Sequence, residues 1–203
     1  MPLTAPNRLP LFPLASVLFP GGTIKLRIFE RRYLDMIRDC ARDSTCFGVC
    51  LILNATEPGA PTVPSAIGTR ARITDFYTLP DGLLGITACG EQRFHVDRIA
   101  VRDSGLIVGD VRWLPDDTGE PVPAQHGLIA TMLDNLLRQF DELPDDARLL
   151  DDAAWVGWRL SEMLPLDPCD RQFLLQMEDA VDRLDQLAQW LPRLGMGKGV
   201  DQD

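Results

Sequence analysis

Residues Leu9–Tyr33 read LPLFPLASVLFPGGTIKLRIFERRY, and this stretch decides the fold class. From Thr23 to Phe29, Ile24, Leu26 and Ile28 alternate with Thr23, Lys25 and Arg27, the two-residue period of a strand with one face buried. Directly after it, Tyr33, Met36, Ile37 and Cys40 fall three and four apart, which places them on one stripe of a helix. Upstream, Pro10, Pro13 and Pro20 lack amide donors, so the segment they bracket is expected at the edge of a sheet. Gly21-Gly22 supplies a turn, and Phe12, Phe19, Phe29 and Tyr33 are the expected core anchors. Glu30 and Arg32 are placed to cap or lock the start of the helix. The prolines and aromatics of the stretch thus read as sheet edge and core rather than as binding surface.

Downstream the same grammar of short apolar runs continues to about Asp116. Phe47 to Leu53 is β-prone, and the proline-rich segment Ala55 to Ser65 predicts a loop. Ala66 to Thr78 alternates, with Ala71 and Ile73 facing away from Arg70, Arg72 and Thr74. Leu79-Pro80-Asp81-Gly82 is a turn, in which proline presets a negative φ and glycine accepts a positive one. Leu83 to Ala88 then runs back antiparallel. Phe94 to Ile99 and Leu106 to Trp113 complete a meander of short strands, with Ile107, Val111 and Trp113 on one face.

After Pro115 the period becomes helical. Leu128, Ile129, Met132, Leu133, Leu136, Leu137 and Phe140 form a stripe wide enough for a bundle interior. Ala153 to Met163 is a second helix carrying Trp155, Val156 and Leu160. Asp167 then reads as an N-cap with Pro168 at the first helical position of a last stretch running to about Leu194. The expected organisation is α+β: a β-rich subdomain over residues 1–117, a helical bundle over 118–194 and a disordered tail over 195–203.

Chemistry is more notable for what the chain lacks. The phosphate-gripping G-x-x-x-x-G-K-[ST] loop, the dinucleotide fingerprint and the G-x-S-x-G elbow are all missing. Five cysteines, Cys40, Cys46, Cys50, Cys89 and Cys169, include no C-x-x-C pair and read as small buried thiols; with only His95 and His126 beside them, no metal site is expected. Cys89 and His95 are the best candidates for a nucleophile and its base, but six residues on a strand separate them by about 20 Å. The acidic cluster Asp145, Asp146, Asp151 and Asp152 lacks the alternation and central glycine of a calcium loop and reads as a solvated connector or helix start. The 45% apolar content supports a sizeable core, and no run is long enough to span a membrane. Prolines in MPLTAPNRLPLFPL argue against a signal peptide, so a cytoplasmic protein is expected. Net charge is −10; residues 1–113 carry 13 basic against 11 acidic side chains, whereas residues 114–203 carry 7 against 19. Such an acidic second half disfavours nucleic acid as a partner.

The ordered pieces Leu9-Pro10-Leu11-Phe12-Pro13-Leu14, Val17-Leu18-Phe19-Pro20-Gly21 and Leu26-x-Ile28-Phe29-Glu30-x-Arg32-Tyr33-x-x-Met36 resemble the LON N-terminal, substrate-binding domain family. The likeness continues through Phe47-Gly48-Val49, Ile67-Gly68-Thr69, Leu79-Pro80-Asp81-Gly82 and Gly90-x-x-Arg93-Phe94, then Pro165-Leu166, Arg171-Gln172-x-Leu174-Leu175 and Arg183-Leu184, covering roughly residues 9–193. Lys25 departs from the family, which commonly has proline there. The resemblance implies a PUA-like pseudo-barrel of about six strands with a short helix, followed by a helical bundle. It also implies a stand-alone member without the ATPase and protease parts, a binding module with no catalytic residues and no cofactor. Its expected partners are unfolded or extended polypeptides and a protease complex, with RNA as the alternative ligand that PUA-like barrels suggest. The binding surface and oligomeric state are left open.

Overall fold

The computed structural model describes residues 7–53, 62–117, 119–140 and 146–194. The chain divides into two compact units, residues 1–116 and 117–203. The expected tail at 195–203 and most of the proline-rich loop lie outside the described residues.

The first unit holds six strands and one helix: β1 (Arg8–Leu14), β2 (Thr23–Ile28), α1 (Arg31–Asp43), β3 (Phe47–Ile52), β4 (Pro64–Thr78), β5 (Leu84–Val101) and β6 (Ile107–Trp113). Their order is β2-β5-β4-β3-β1-β6, and a further β5–β6 pairing closes β1, β3, β4, β5 and β6 into a ring. The length of β5 makes this possible. Its first half pairs with β2 from Leu84 to Cys89, and its second half pairs with β6 from Phe94 to Val101. Residues 83–88 and 94–99, expected as two strands, are therefore one; Gly90 lies inside it, at a bulge in the pairing with β4.

The alternation in β2 is realised: Leu26 and Ile28 are buried, and Thr23, Lys25 and Arg27 are exposed. In α1 the buried residues are Tyr33, Met36, Ile37 and Cys40, as the stripe predicts. Burying a side chain such as Met36 or Ile37 contributes about 1.5–3 kcal/mol. They join Phe12, Leu18, Leu26, Ile28, Phe47, Val49 and Val108 in the larger apolar cluster. The opposite faces of β1, β3 and β6 supply Leu9, Leu11, Cys50, Ile107 and Val111 to a second cluster around Phe94. The turn expected at 79–82 joins β4 to β5, with Gly82 at φ +82° and its amide donating to the Leu79 carbonyl.

Two expectations for the opening stretch fail. β1 is not an edge strand: Arg8 to Pro10 pair antiparallel with β6, and Leu11 to Leu14 pair parallel with β3. Among the described residues each half of β1 has one neighbour, which leaves the other side free for a donor-less proline nitrogen. Phe29 is not a core anchor; it is 65% exposed, whereas Phe12, Phe19 and Tyr33 are buried. Pro64 and Ser65, assigned to the loop, begin β4, where Pro64 pairs with Ile52.

The second unit holds α2 (Gly127–Phe140), α3 (Ala153–Met163), α4 (Pro168–Gln176) and α5 (Ala180–Trp190), with short 3-10 turns at Ala124–His126, Ala147–Asp151 and Leu191–Leu194. Three aspartates set the helix starts. Asp152 accepts from the Trp155 amide, Asp167 from that of Asp170 and Asp179 from those of Val181 and Asp182. Asp179 explains why the last helical stretch is two helices rather than one. The α2 stripe is narrower than expected: Ile129, Leu133 and Leu137 are buried, whereas Leu128 and Phe140, at its ends, are exposed. Leu160, Leu174, Leu184 and Leu187 complete the interior.

Candidate functional site

The register leaves two strand edges open within the first unit. Among the described residues β2 pairs only with β5, and β1 pairs with β6 no further than Pro10, which leaves Leu11 to Leu14 paired with β3 alone. A cleft of about 450 Å³ reaches both edges, lined by Phe12, Pro13, Leu14 and Ala15 from β1 and its exit, and by Lys25, Leu26 and Arg27 from β2. Phe29, Glu30, Arg32 and Tyr33 complete it at the start of α1, with Ile52 and Thr62 on the remaining side. All but the last two belong to the stretch that opens the sequence. Its volume lies in the ~300–1,000 Å³ range of ligand pockets.

Aromatic packing builds one wall. The Phe12 and Tyr33 rings lie 4.0 Å apart between centroids, and the Arg32 guanidinium sits 4.8 Å from the Tyr33 centroid. Burial pushes the Tyr33 phenol up, only partly offset by Arg32, so it remains protonated at neutral pH. Arg32 also grips the Glu30 carboxylate at 2.6 Å and donates to the Gly105 carbonyl at 3.0 Å. Glu30 precedes the helix in extended conformation with no side-chain cap, so it locks the helix start through Arg32 instead of capping it.

Three cations face one carboxylate here: Lys25, Arg27 and Arg32 against Glu30. Arg27 reaches Asp81 at 2.7 Å, but both side chains are substantially exposed, and such pairs contribute about 0–1 kcal/mol. Lys25 is exposed and has no ion-pair partner among the described residues. The cleft therefore combines a basic rim with an apolar, aromatic wall, suited to binding rather than to proton transfer.

The residues weighed for catalysis are not brought together. Cys89 and His95 lie on the same continuous strand; Cys89 pairs with Thr23 and Arg72, His95 with Ile67 and Arg112, and the His95 Nδ1 sits 2.9 Å from Asp97. His126 is buried in the second unit. Within the acidic cluster, Asp145 lies outside the described residues, Asp151 ends a 3-10 turn and Asp152 caps α3; among the described residues no group of three acidic, cysteine or histidine side chains is arranged to hold a metal. All five cysteines are free, but only Cys40 and Cys50 are buried; Cys46 and Cys89 are half-buried and Cys169 is exposed near the start of α4. Burial pushes the Cys40 thiol up to about 11 and the Cys50 thiol up to about 12, which makes both poor nucleophiles.

Sequence reasoning missed the cleft. The available signal was Phe29: it shares the odd-numbered phase of Lys25 and Arg27, not that of the buried Leu26 and Ile28.

The profile of the ATP-dependent protease La (LON) substrate-binding domain matches residues 8–193. The Lon protease of Cytophaga hutchinsonii is 26% identical over 200 residues, covering 93% of this chain and 24% of that protein. The chain thus spans about a quarter of the length of that relative. A crystal structure of a Lon N-terminal domain protein from Xanthomonas campestris superposes with a TM-score of 0.78 at 50% identity, covering 90% of this chain and 98% of the other. The N-terminal domain of the Lon protease from the Mycobacterium avium complex superposes with a TM-score of 0.68 at 17% identity, covering 91% and 98%, a likeness of fold. Among the described residues no helix is long and apolar enough to cross a membrane.

Proposed function

The chain belongs to the LON substrate-binding domain family, and from that premise we propose that it is a non-catalytic module that recognises unfolded or extended polypeptides through the cleft between β1 and β2. The observation that carries the reading is that the family's opening stretch, Leu9–Tyr33, lines nearly the whole cleft while Phe29 within it stays exposed. Beside the Phe12–Tyr33 wall, the exposed Phe29 ring extends one apolar surface that a bound chain segment can cover. Recognition of a chain segment needs only such apolar contacts, backbone groups and a few charges, all present here. An ATP-dependent protease that consumes the bound chain is the partner this reading implies. The free thiols accord with the reducing, cytoplasmic setting in which we place it.

Fluorescence anisotropy with a labelled, permanently unfolded reporter, such as reduced and carboxymethylated α-lactalbumin, tests the reading against the folded form of the same protein. Saturable binding of the unfolded form and none of the folded form is expected. Failure to bind any unfolded reporter at low and moderate salt would overturn it.

A further inference from the structure

We propose that the occupant of the cleft adds as a strand to the open edge of β2, and that it is an extended segment with acidic, acidic and apolar side chains at alternate positions. This rests on the polypeptide reading above and names the kind of segment the site takes.

The backbone argument comes first. An edge strand presents unpaired N–H and C=O groups, and an extended segment satisfies them at a spacing no helix or folded surface matches. Among the described residues β2 is paired on one side only, and Leu11 to Leu14 of β1 pair with β3 alone. The cleft reaches both edges, so a segment entering it meets backbone groups of β2 and the aromatic wall of Phe12 and Tyr33 together.

Side chains then set the pattern. Lys25 and Arg27 are two apart on β2 and share its outward face, and Phe29 continues the same phase just beyond the strand. All three are exposed. In an added strand, alternate side chains lie on one face, opposite their cross-strand neighbours. A carboxylate opposite Lys25 finds a cation without a partner among the described residues, and one opposite Arg27 can replace the exposed Asp81. An apolar side chain at the third position covers Phe29. Arg32 is held by Glu30, Gly105 and Tyr33 and closes the end of the cleft without being needed for the ligand.

The experiment uses the full chain and four fluorescein-labelled peptides: a parent with the pattern Glu-x-Glu-x-Leu, a version with Lys for both Glu, and two versions of the parent N-methylated at amides of one or the other alternate phase. The unfolded reporter is measured in parallel. The parent is expected to bind, with the Lys version about tenfold weaker through like-charge contact. One N-methylated phase, but not the other, should also lose about tenfold, because only alternate amides face the partner strand. Lys25→Glu should abolish the charge preference, because Arg27 still favours the parent, and Lys25→Glu with Arg27→Glu should invert it; Arg27→Glu alone should abolish it if Lys25→Glu does not fold. Reporter binding with no response to these charge reversals, or with both N-methylated phases binding like the parent, would overturn the strand-addition proposal and leave the polypeptide reading standing. Absence of all reporter binding would overturn both.

Discussion

The Nη1 of Arg32 donates to the carbonyl oxygen of Gly105 over 3.0 Å, tying the first turn of α1 to the connection between β5 and β6. Gly105 can offer that carbonyl because it sits at φ +81°, a conformation that costs a residue with a Cβ about 1–2 kcal/mol. A Cβ built there lies 3.4 Å from the same Nη1, an ordinary contact, so Gly105→Ala is expected to lose stability through backbone strain alone. Gly82, at φ +82° with nothing within 4 Å of a built Cβ, provides the control. Urea denaturation should give matching losses for Gly105→Ala and Gly82→Ala. A markedly larger loss for Gly105→Ala would mean that the Arg32 bond breaks as well.

Phe12 and Phe29 line the same cleft with opposite burial, 6% against 65% exposed, and this separates scaffold from binding surface. Phe12→Ala removes a ring packed against Tyr33 and Phe47 and should cost about 3–5 kcal/mol of folding stability. Phe29→Ala should change stability by no more than about 0.5 kcal/mol. Its effect belongs in polypeptide affinity, measured by anisotropy on a protein with an unchanged melting temperature. Unchanged affinity in Phe29→Ala would remove Phe29 from the binding surface.

Local periodicity was enough to read what depends on neighbours in sequence. The inward Leu26 and Ile28, the Tyr33–Cys40 stripe, the turn ending at Gly82 and the Asp167-Pro168 helix start are each decided within a few residues. What escaped depends on distant partners. β1 is shared between β6 along its first half and β3 along its second, strands that arrive from about 100 and 40 residues away, a pairing no local pattern in β1 encodes. β5 runs unbroken through Gly90 because it absorbs the irregularity as a bulge of its own, three steps from Gly90 to Arg93 opposing two from Ala71 to Thr69 on β4. The cleft lies where β2 pairs with the first half of β5 and, among the described residues, with no other strand, so it is a product of register and not of composition. Even so, the phase of Phe29 with Lys25 and Arg27 was present in the letters; its aromatic character outweighed its position.

The second unit carries a different kind of relationship. Arg183 is fully buried, with its guanidinium 3.2 Å from the Trp158 ring centroid, a hydrogen bond of 3.0 Å to the Met177 carbonyl and the Asp117 carboxylate at 3.4 Å. Removing one member of such a pair leaves the other charge buried, which costs about 3–5 kcal/mol. Arg183→Met is therefore expected to destabilise the protein by that amount in urea titrations. The double variant Arg183→Met with Asp117→Asn should recover part of the loss, since no charge is then stranded. A double variant no more stable than the single one would show that ring stacking and packing, rather than the ion pair, hold Arg183 in place.

Cys50 gives stability a pH dependence on the alkaline side. Its thiol is pushed from 9.0 up to about 12 by burial beside Leu11 and Phe94, so the folded chain keeps its proton where the unfolded chain has released it. A folded-state value above the unfolded one means that the contribution is fully present below pH 9 and is lost progressively as pH rises toward 12. Within that window one such thiol lowers stability by about 1.4 kcal/mol per pH unit. Cys40, raised to about 11 by burial, adds to the same slope between its two values, and Tyr33 adds to it above pH 10. Urea midpoints measured from pH 8 to 11 should fall with increasing steepness above pH 9. Cys50→Ala, which has no proton to lose, should flatten the curve by the share of one group while leaving polypeptide binding at pH 7.5 unchanged. An identical slope in the variant would show that the Cys50 thiol does not titrate differently in the folded and unfolded chains.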